Sequence, residues 1–194
     1  MRWNHNIHYH SLVHSALPAG GHVLDVGCGE GMLARELALR ADRVTGIDAD
    51  AISVALARAS TSEPNVAYVH ADALRYAFAP ASFDALVSVA TLHHIGAARG
   101  LARFAELLRP GGTLAVIGLA ASEWPRDLGR EIAGAVATRW LQWRRGYWEH
   151  SAPTAWPPPE TYREVRAIAA ERLPGASYRR HVLWRYSLVW RKPI

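Results

Sequence analysis

The chain has 194 residues, half of them hydrophobic and a fifth charged, which suits one domain with a substantial core and falls short of two. A single cysteine excludes an internal disulfide and a multi-cysteine metal site, and no apolar run approaches the roughly 18 residues of a membrane span. The formal net charge is +5, and the surplus is C-terminal: residues 159–194 carry 8 basic and 3 acidic groups, whereas residues 1–121 carry 9 and 10.

That surplus is almost entirely arginine and no basic run exceeds two residues, so it reads as compositional bias rather than a nucleic-acid footprint. The opening stretch "MRWNHNIHYHS" has no apolar h-region; a secretory leader is not expected and the chain reads as cytoplasmic. His10 and His14 are spaced i, i+4, as metal ligands on a helix would be, but no neighbouring cysteine or carboxylate in the sequence completes a set, and no metal is expected. A histidine-rich surface helix is one reading of this segment.

Residues 22–26, "HVLDV", predict a short buried strand. A helix follows over 30–40, a strand over 43–48 and an Ala-rich helix over 50–60, with Asp50 as its N-cap. Strands are expected at 66–70, 83–89 and 113–118, the last two separated by a helix over 97–108 and the turn Arg109-Pro-Gly-Gly112. This alternation argues an α/β fold with a parallel sheet, and the near-continuous apolar strands fit burial on both faces. After residue 121 the pattern changes. Residues 122–150 are helical and rich in Trp and Arg, 151–159 form a Pro-rich connector, 160–172 a helix, and 177–182 with 184–191 an antiparallel pair.

"VLDVGCGEGM" places Gly27, Gly29 and Gly31 directly behind the first strand. Glycine weakens helices and strands, so three at alternate positions need a backbone reason, and parallel sheets bind ligands at this end of the strand. The dinucleotide spacing is G-x-G-x-x-G. Here it is G-x-G-x-G, Met32 stands at the third dinucleotide position, and Asp25 and Glu30 would face a pyrophosphate with like charge. S-adenosylmethionine has no phosphate and carries two cationic centres, which acids favour.

These motifs resemble those of class I S-adenosylmethionine-dependent methyltransferases of the small seven-stranded type. The resemblance rests on "VLDVGCGEG", "VTGIDAD", "HADAL", "FDALVSVATLHHI" and "LLRPGGTLAVIG" in that order, roughly residues 20–120, and on the C-terminal strand pair. It implies a Rossmann-like three-layer sandwich: a mostly parallel seven-stranded sheet with an antiparallel C-terminal pair. Residues 1–194 then form a single domain, with an N-terminal cap over 1–20 and a lid or substrate insertion over 122–159.

The resemblance also implies roles. Asp25, Gly27, Cys28, Gly29 and Gly31 would wrap the methionine part of S-adenosyl-L-methionine, with Cys28 serving as a small side chain rather than a nucleophile. Asp48 would accept the ribose hydroxyls, with Ala49 beside it. Asp72 and the backbone of Ala73 would meet the adenine, and Val89 would lie beneath the reactive methyl, next to Ser88 and Ala90. Tyr9 would touch the cofactor from the cap. Trp3, His5, Trp124 and Trp148 would close the acceptor pocket, and every tryptophan but Trp3 lies after residue 120.

The expected reaction is methyl transfer to an oxygen or nitrogen of a small organic acceptor, leaving S-adenosyl-L-homocysteine. In-line positioning supplies much of the rate. A hydroxyl acceptor also needs a base, for which His93 and His94 are the candidates; Glu123 and His150 are weaker ones. The expected partner is a small molecule rather than nucleic acid or a membrane. Two alternatives stay open: an RNA or protein methyltransferase using the basic C-terminal surface, and a non-catalytic cofactor-binding protein. Ser-Val-Ala-Thr after the fourth strand, in place of an N-P-P-Y-type motif, disfavours methylation of a nucleic-acid base. Neither the acceptor nor the oligomeric state is legible.

Overall fold

The computed structural model describes residues 3–148 and 157–194. His150 and most of the Pro-rich connector therefore lie outside the described residues. Five strands, β1 (His22–Val26), β2 (Arg43–Asp48), β3 (Val66–His70), β4 (Phe83–Val89) and β5 (Leu108–Gly118), run parallel. Two more, β6 (Ser177–Arg180) and β7 (Tyr186–Arg191), close one edge as an antiparallel pair, with β7 also antiparallel to β5. The order is β3-β2-β1-β4-β5-β7-β6, so the chain switches direction across the sheet between β1 and β4, where a crevice opens at the carboxyl ends.

Helices cover both faces. On one side lie α1 (His10–Ala16) and α2 (Met32–Ala38), whose Val13, Leu33 and Leu37 pack with Val23, Val44 and Val87. On the other lie α5 (Ala97–Leu107) and α7 (Tyr162–Arg172). In α5, Ala97, Gly100, Leu101, Phe104 and Leu107 are buried, the i, i+3, i+4 stripe of an amphipathic helix, and they share a core with Val165, Ala169, Leu86 and Leu114. A capping box between Thr161 and Glu164 fixes the start of α7. The Asp50 cap forms as expected: its carboxylate accepts the Ser53 N–H at 2.9 Å at the head of α3 (Ala51–Ala59).

Element limits shift where backbone conformation overrides side-chain preference. The last strand begins at Tyr186, not 184, because Leu183 and Trp184 adopt positive φ (62° and 55°) and make a turn. The Trp/Arg-rich stretch resolves into one long helix, α6 (Leu128–Arg145), preceded by a loop. Asp127, buried at its head, pairs with Arg180 at 2.7 Å and also accepts the Glu123 N–H, which ties α6 to β6. A short helix that the sequence pattern missed, α4 (Leu92–Ile95), follows β4. No described helix is long and apolar enough to cross a membrane.

The glycine loop divides its work. A Cβ on Gly27 (φ +75°) would sit 1.8 Å from Thr91 Oγ1, and one on Gly31 would sit 2.2 Å from the Tyr68 hydroxyl. A Cβ on Gly29 (φ +50°) would meet nothing within 4 Å. Two of the three glycines therefore make room for the protein's own side chains, and only the middle one leaves open space. Gly27→Ala is expected to destabilise the fold by about 2–5 kcal/mol, the sum of left-handed strain and overpacking. Gly29→Ala should cost only the strain, about 1–2 kcal/mol. Equal losses for the two variants in urea unfolding would contradict this division.

Candidate active site

A cleft of about 670 Å³ opens at the carboxyl edge of the sheet, spanning the ends of β1 to β5. Its floor is the glycine loop. The Gly27 and Cys28 N–H groups both donate to the Ile47 carbonyl, at 2.8 and 3.2 Å, which pins the loop to β2. Gly29 N–H donates to Asp48 Oδ2 at 2.8 Å, and Asp50 N–H donates to Asp48 Oδ1 at 2.9 Å. Asp48 thus braces two turns and still has lone pairs to offer the cleft, since each carboxylate oxygen accepts more than one hydrogen bond.

Asp25 lies one strand away, 1 % exposed at the β1 end, and its Oδ2 has no hydrogen-bond partner. Burial, with Asp48 nearby as a second cause, pushes its carboxyl up to about 7. Asp72 lines the far end, where its Oδ1 accepts the Leu74 N–H at 2.8 Å. Cys28, Gly27, Gly29, Ala49, Ala73 and Val89 also line the cleft. Gly31 does not: it lies under Tyr68 instead. Burial pushes the Cys28 thiol far up, so it stays protonated and inert as a nucleophile.

His93 and His94 stand on α4 at the cleft wall, with ring centroids 4.1 Å apart. Burial, then the neighbouring His94 and Arg185, lowers His93 to about 4. His93 is therefore neutral at pH 7, and its buried Nδ1 has no partner. His5 is lowered to about 4 for the same first reason, burial, followed by Arg185; its Nε2 lies 3.1 Å from Thr138 Oγ1 of α6.

Some aromatic assignments need correction. Trp148 and His5 line the cleft, but Trp124 is 76 % exposed and is not part of its lining; it sits in the loop that Asp127 anchors through the Glu123 N–H. Tyr9 is buried behind the wall, its hydroxyl donating to the Val182 carbonyl. Trp3 is likewise buried outside the cleft lining and makes an edge contact with Tyr147. Between these two rings in the chain stand the residues that do face the cleft: Asn4, His5, Asn6 and Ile7. His10 and His14 share one partner that the sequence pattern did not show, Glu36 Oε2 from α2, at 2.9 and 3.1 Å. Among the described residues no group of three or more His, Cys, Asp or Glu is arranged to hold a metal.

Residues 23–112 match the family described as Methyltransferase domain. A protein of Mycobacterium tuberculosis described as an uncharacterized methyltransferase is 41 % identical over 194 residues, covering 99 % of this chain and 98 % of that one. The chain belongs to the methyltransferase family. This methyltransferase is also 40 % identical to a ubiquinone biosynthesis O-methyltransferase of Aromatoleum aromaticum over 98 residues, 48 % of this chain and 42 % of that one. The fold matches that of a solved S-adenosylmethionine-dependent methyltransferase of Methanosarcina mazei, with a TM-score of 0.65 over 100 % of both chains at 19 % identity. The seven-stranded Rossmann-like architecture is thus that of the family.

Sequence reasoning missed Arg185, Asn4, Asn6, Trp184 and Leu119, all of which line the methyltransferase's cleft. Arg185 read as an ordinary strand residue. Only the positive-φ turn before it, invisible in composition, brings it to the site.

Proposed function

We propose that this methyltransferase uses S-adenosyl-L-methionine and carries its methyl group to an oxygen or nitrogen of a small organic acceptor. The observation that carries the cofactor assignment is Asp25 Oδ2, a fully buried carboxylate oxygen without a partner at the floor of the cleft. An unpaired buried charge is costly and is relieved by a cation. With Asp48 and Asp72 along the same edge, the site fits a cationic nucleoside and repels a pyrophosphate. Asp25 would face the charged methionine end, Asp48 would accept the ribose hydroxyls, and Asp72 with the Ala73 backbone would meet the adenine. The gap at Gly29 leaves room for close approach.

When bound, the cofactor supplies an electrophilic methyl on a positive sulfur, and that sulfur leaves neutral. The chain's own part is to hold the acceptor in line, keep water out and remove a proton where the acceptor has one. His93 suits the role of base, being neutral, in the cleft, and equipped with an unpartnered ring nitrogen. The named relative that methylates oxygen supports a hydroxyl acceptor. A base must be deprotonated to work, so with saturating cofactor the rate should fall only as pH drops through about 4, His93's lowered value, and stay flat across 6–8. An acid limb near 6.5, or full turnover by His93→Ala/His94→Ala, would remove the base role, for which a loss of about 100-fold or more is expected.

Calorimetric titration with S-adenosylmethionine, S-adenosylhomocysteine and NAD tests the reading. Binding of the first two and not NAD is expected, followed by methyl transfer in an acceptor screen run across salt concentrations. NAD binding instead, or no binding by folded protein, would refute it.

A further inference from the structure

The cleft is electrically lopsided. The ends of β1 and β2 and the loops after β1, β2 and β3 contribute Asp25, Glu30, Asp48, Asp50 and Asp72. Beyond β5 the described lining residues include no acid, and one cation, Arg185. The pairing of Gly118 with Tyr186 sets Arg185 opposite Leu119, at the same sheet edge where β5 delivers its chain to the cleft.

The described partners of Arg185 are all neutral. Its Nε and Nη2 donate to Asn6 Oδ1 at 3.1 and 2.7 Å, and its Nη1 donates to the Leu183 and Trp184 carbonyls at 3.3 and 3.2 Å. Among the described residues no carboxylate pairs with it, and Asn6 Oδ1 is the acceptor that Nη2 meets. Guanidinium remains charged even when burial works against it. His5 and His93, the histidines that feel its field, are both neutral at pH 7, so they do not add to the charge of this wall. Trp148, Trp184, Ile95 and Leu119 add apolar surface to the same cleft. A fixed cation in an apolar wall, held in orientation by neutral dipoles, is a receptor for an anion.

We propose that the acceptor carries an anionic group, carboxylate or phosphate, and that Arg185 receives it at the β5–β7 end of the cleft, across from the acids. This rests on reading the cleft as a cofactor site joined to an acceptor site. Asn6 orients the guanidinium from the N-terminal segment, so the two ends of the chain jointly shape the anion site.

The test is calorimetry on the full chain, with and without saturating S-adenosylhomocysteine, using benzoate against benzamide and phenyl phosphate against phenol. At least one anion should bind about ten-fold or more tightly than its neutral counterpart, the range of a charge-assisted hydrogen bond; which one does so identifies the group. Arg185→Gln should abolish the preference, and Arg185→Lys should keep part of it. Asn6→Ala, which leaves the cation but removes the acceptor that orients it, should weaken the preference less than Arg185→Gln does. If neither anion is preferred by the wild-type protein, including the case of no detectable anion binding, the proposal is wrong. It also fails if the preference survives in Arg185→Gln. The wild-type comparison decides the matter even where a variant unfolds. Failure to bind S-adenosylhomocysteine would instead refute the cofactor reading, and the titrations without it still report on Arg185.

Discussion

Asp48→Ala is expected to weaken S-adenosylhomocysteine binding by about a hundredfold, or ~3 kcal/mol. Two losses combine. The carboxylate is the proposed acceptor for two ribose hydroxyls, and it also holds the Gly29 N–H at 2.8 Å and the Asp50 N–H at 2.9 Å. Alanine would leave the glycine loop without its brace as well as the ribose without its acceptor. Asp48→Asn separates the two, since its amide keeps one accepting oxygen, and an intermediate loss of about ten-fold is expected. Titration of both variants gives the answer. Affinity for Asp48→Ala within threefold of wild type would take Asp48 out of the site.

Asp25→Asn should move stability and binding in opposite directions. The ordinary value for Asp25 is 3.8, and burial raises it to about 7 in the fold. The folded state therefore holds a proton between those values that the unfolded state has released. Above pH 7 both states are ionised and the fold bears the whole cost of a buried charge; below 3.8 both are protonated and the cost is gone. A raised value of this size corresponds to roughly 4 kcal/mol at most. Asparagine removes it, so the ligand-free variant should melt several degrees higher at pH 8, with the advantage shrinking as pH falls from 7 towards 4. The same change removes the negative charge facing the cofactor, and binding should drop about ten-fold or more. A variant that melts lower than wild type at pH 8 would mean that Asp25 is paired in the ligand-free protein, and its place in the cofactor site would go with it.

The parts of this molecule that were legible in its sequence share a cause. β1, β2, β4 and the end of β5 are short apolar runs buried on both faces; Asp25 and Asp48 stand in the last residues of β1 and β2, and Asp72 stands just after β3. Asp25, Asp48 and Asp72 could be found because a carboxylate at a strand end has a fixed place once the strand is placed. The glycines were legible as a loop but not in their division of labour, since only three dimensions show that Thr91 and Tyr68 fill the space at Gly27 and Gly31. The acceptor wall was less legible still. Trp124 and Trp148 look alike in composition, and what separates them is the turn anchored by Asp127 and Arg180, a contact across 53 residues. Glu36 joins His10 and His14 for the same reason: α2 and α1 meet only in the fold.

The bond between Asn6 and Arg185 joins residues 179 positions apart. A growing polypeptide has therefore made every described acid of the cleft by residue 72 but must extend to residue 185 before the opposite wall has its described cation. At roughly 5–20 residues per second, the ribosome needs several seconds or more to cover that interval. Throughout it, the half-finished chain holds the residues proposed to grip a methyl donor and lacks the one proposed to select what receives the methyl. Order of synthesis alone thus separates the residues proposed to hold the donor from the one proposed to choose the acceptor in every newly made molecule.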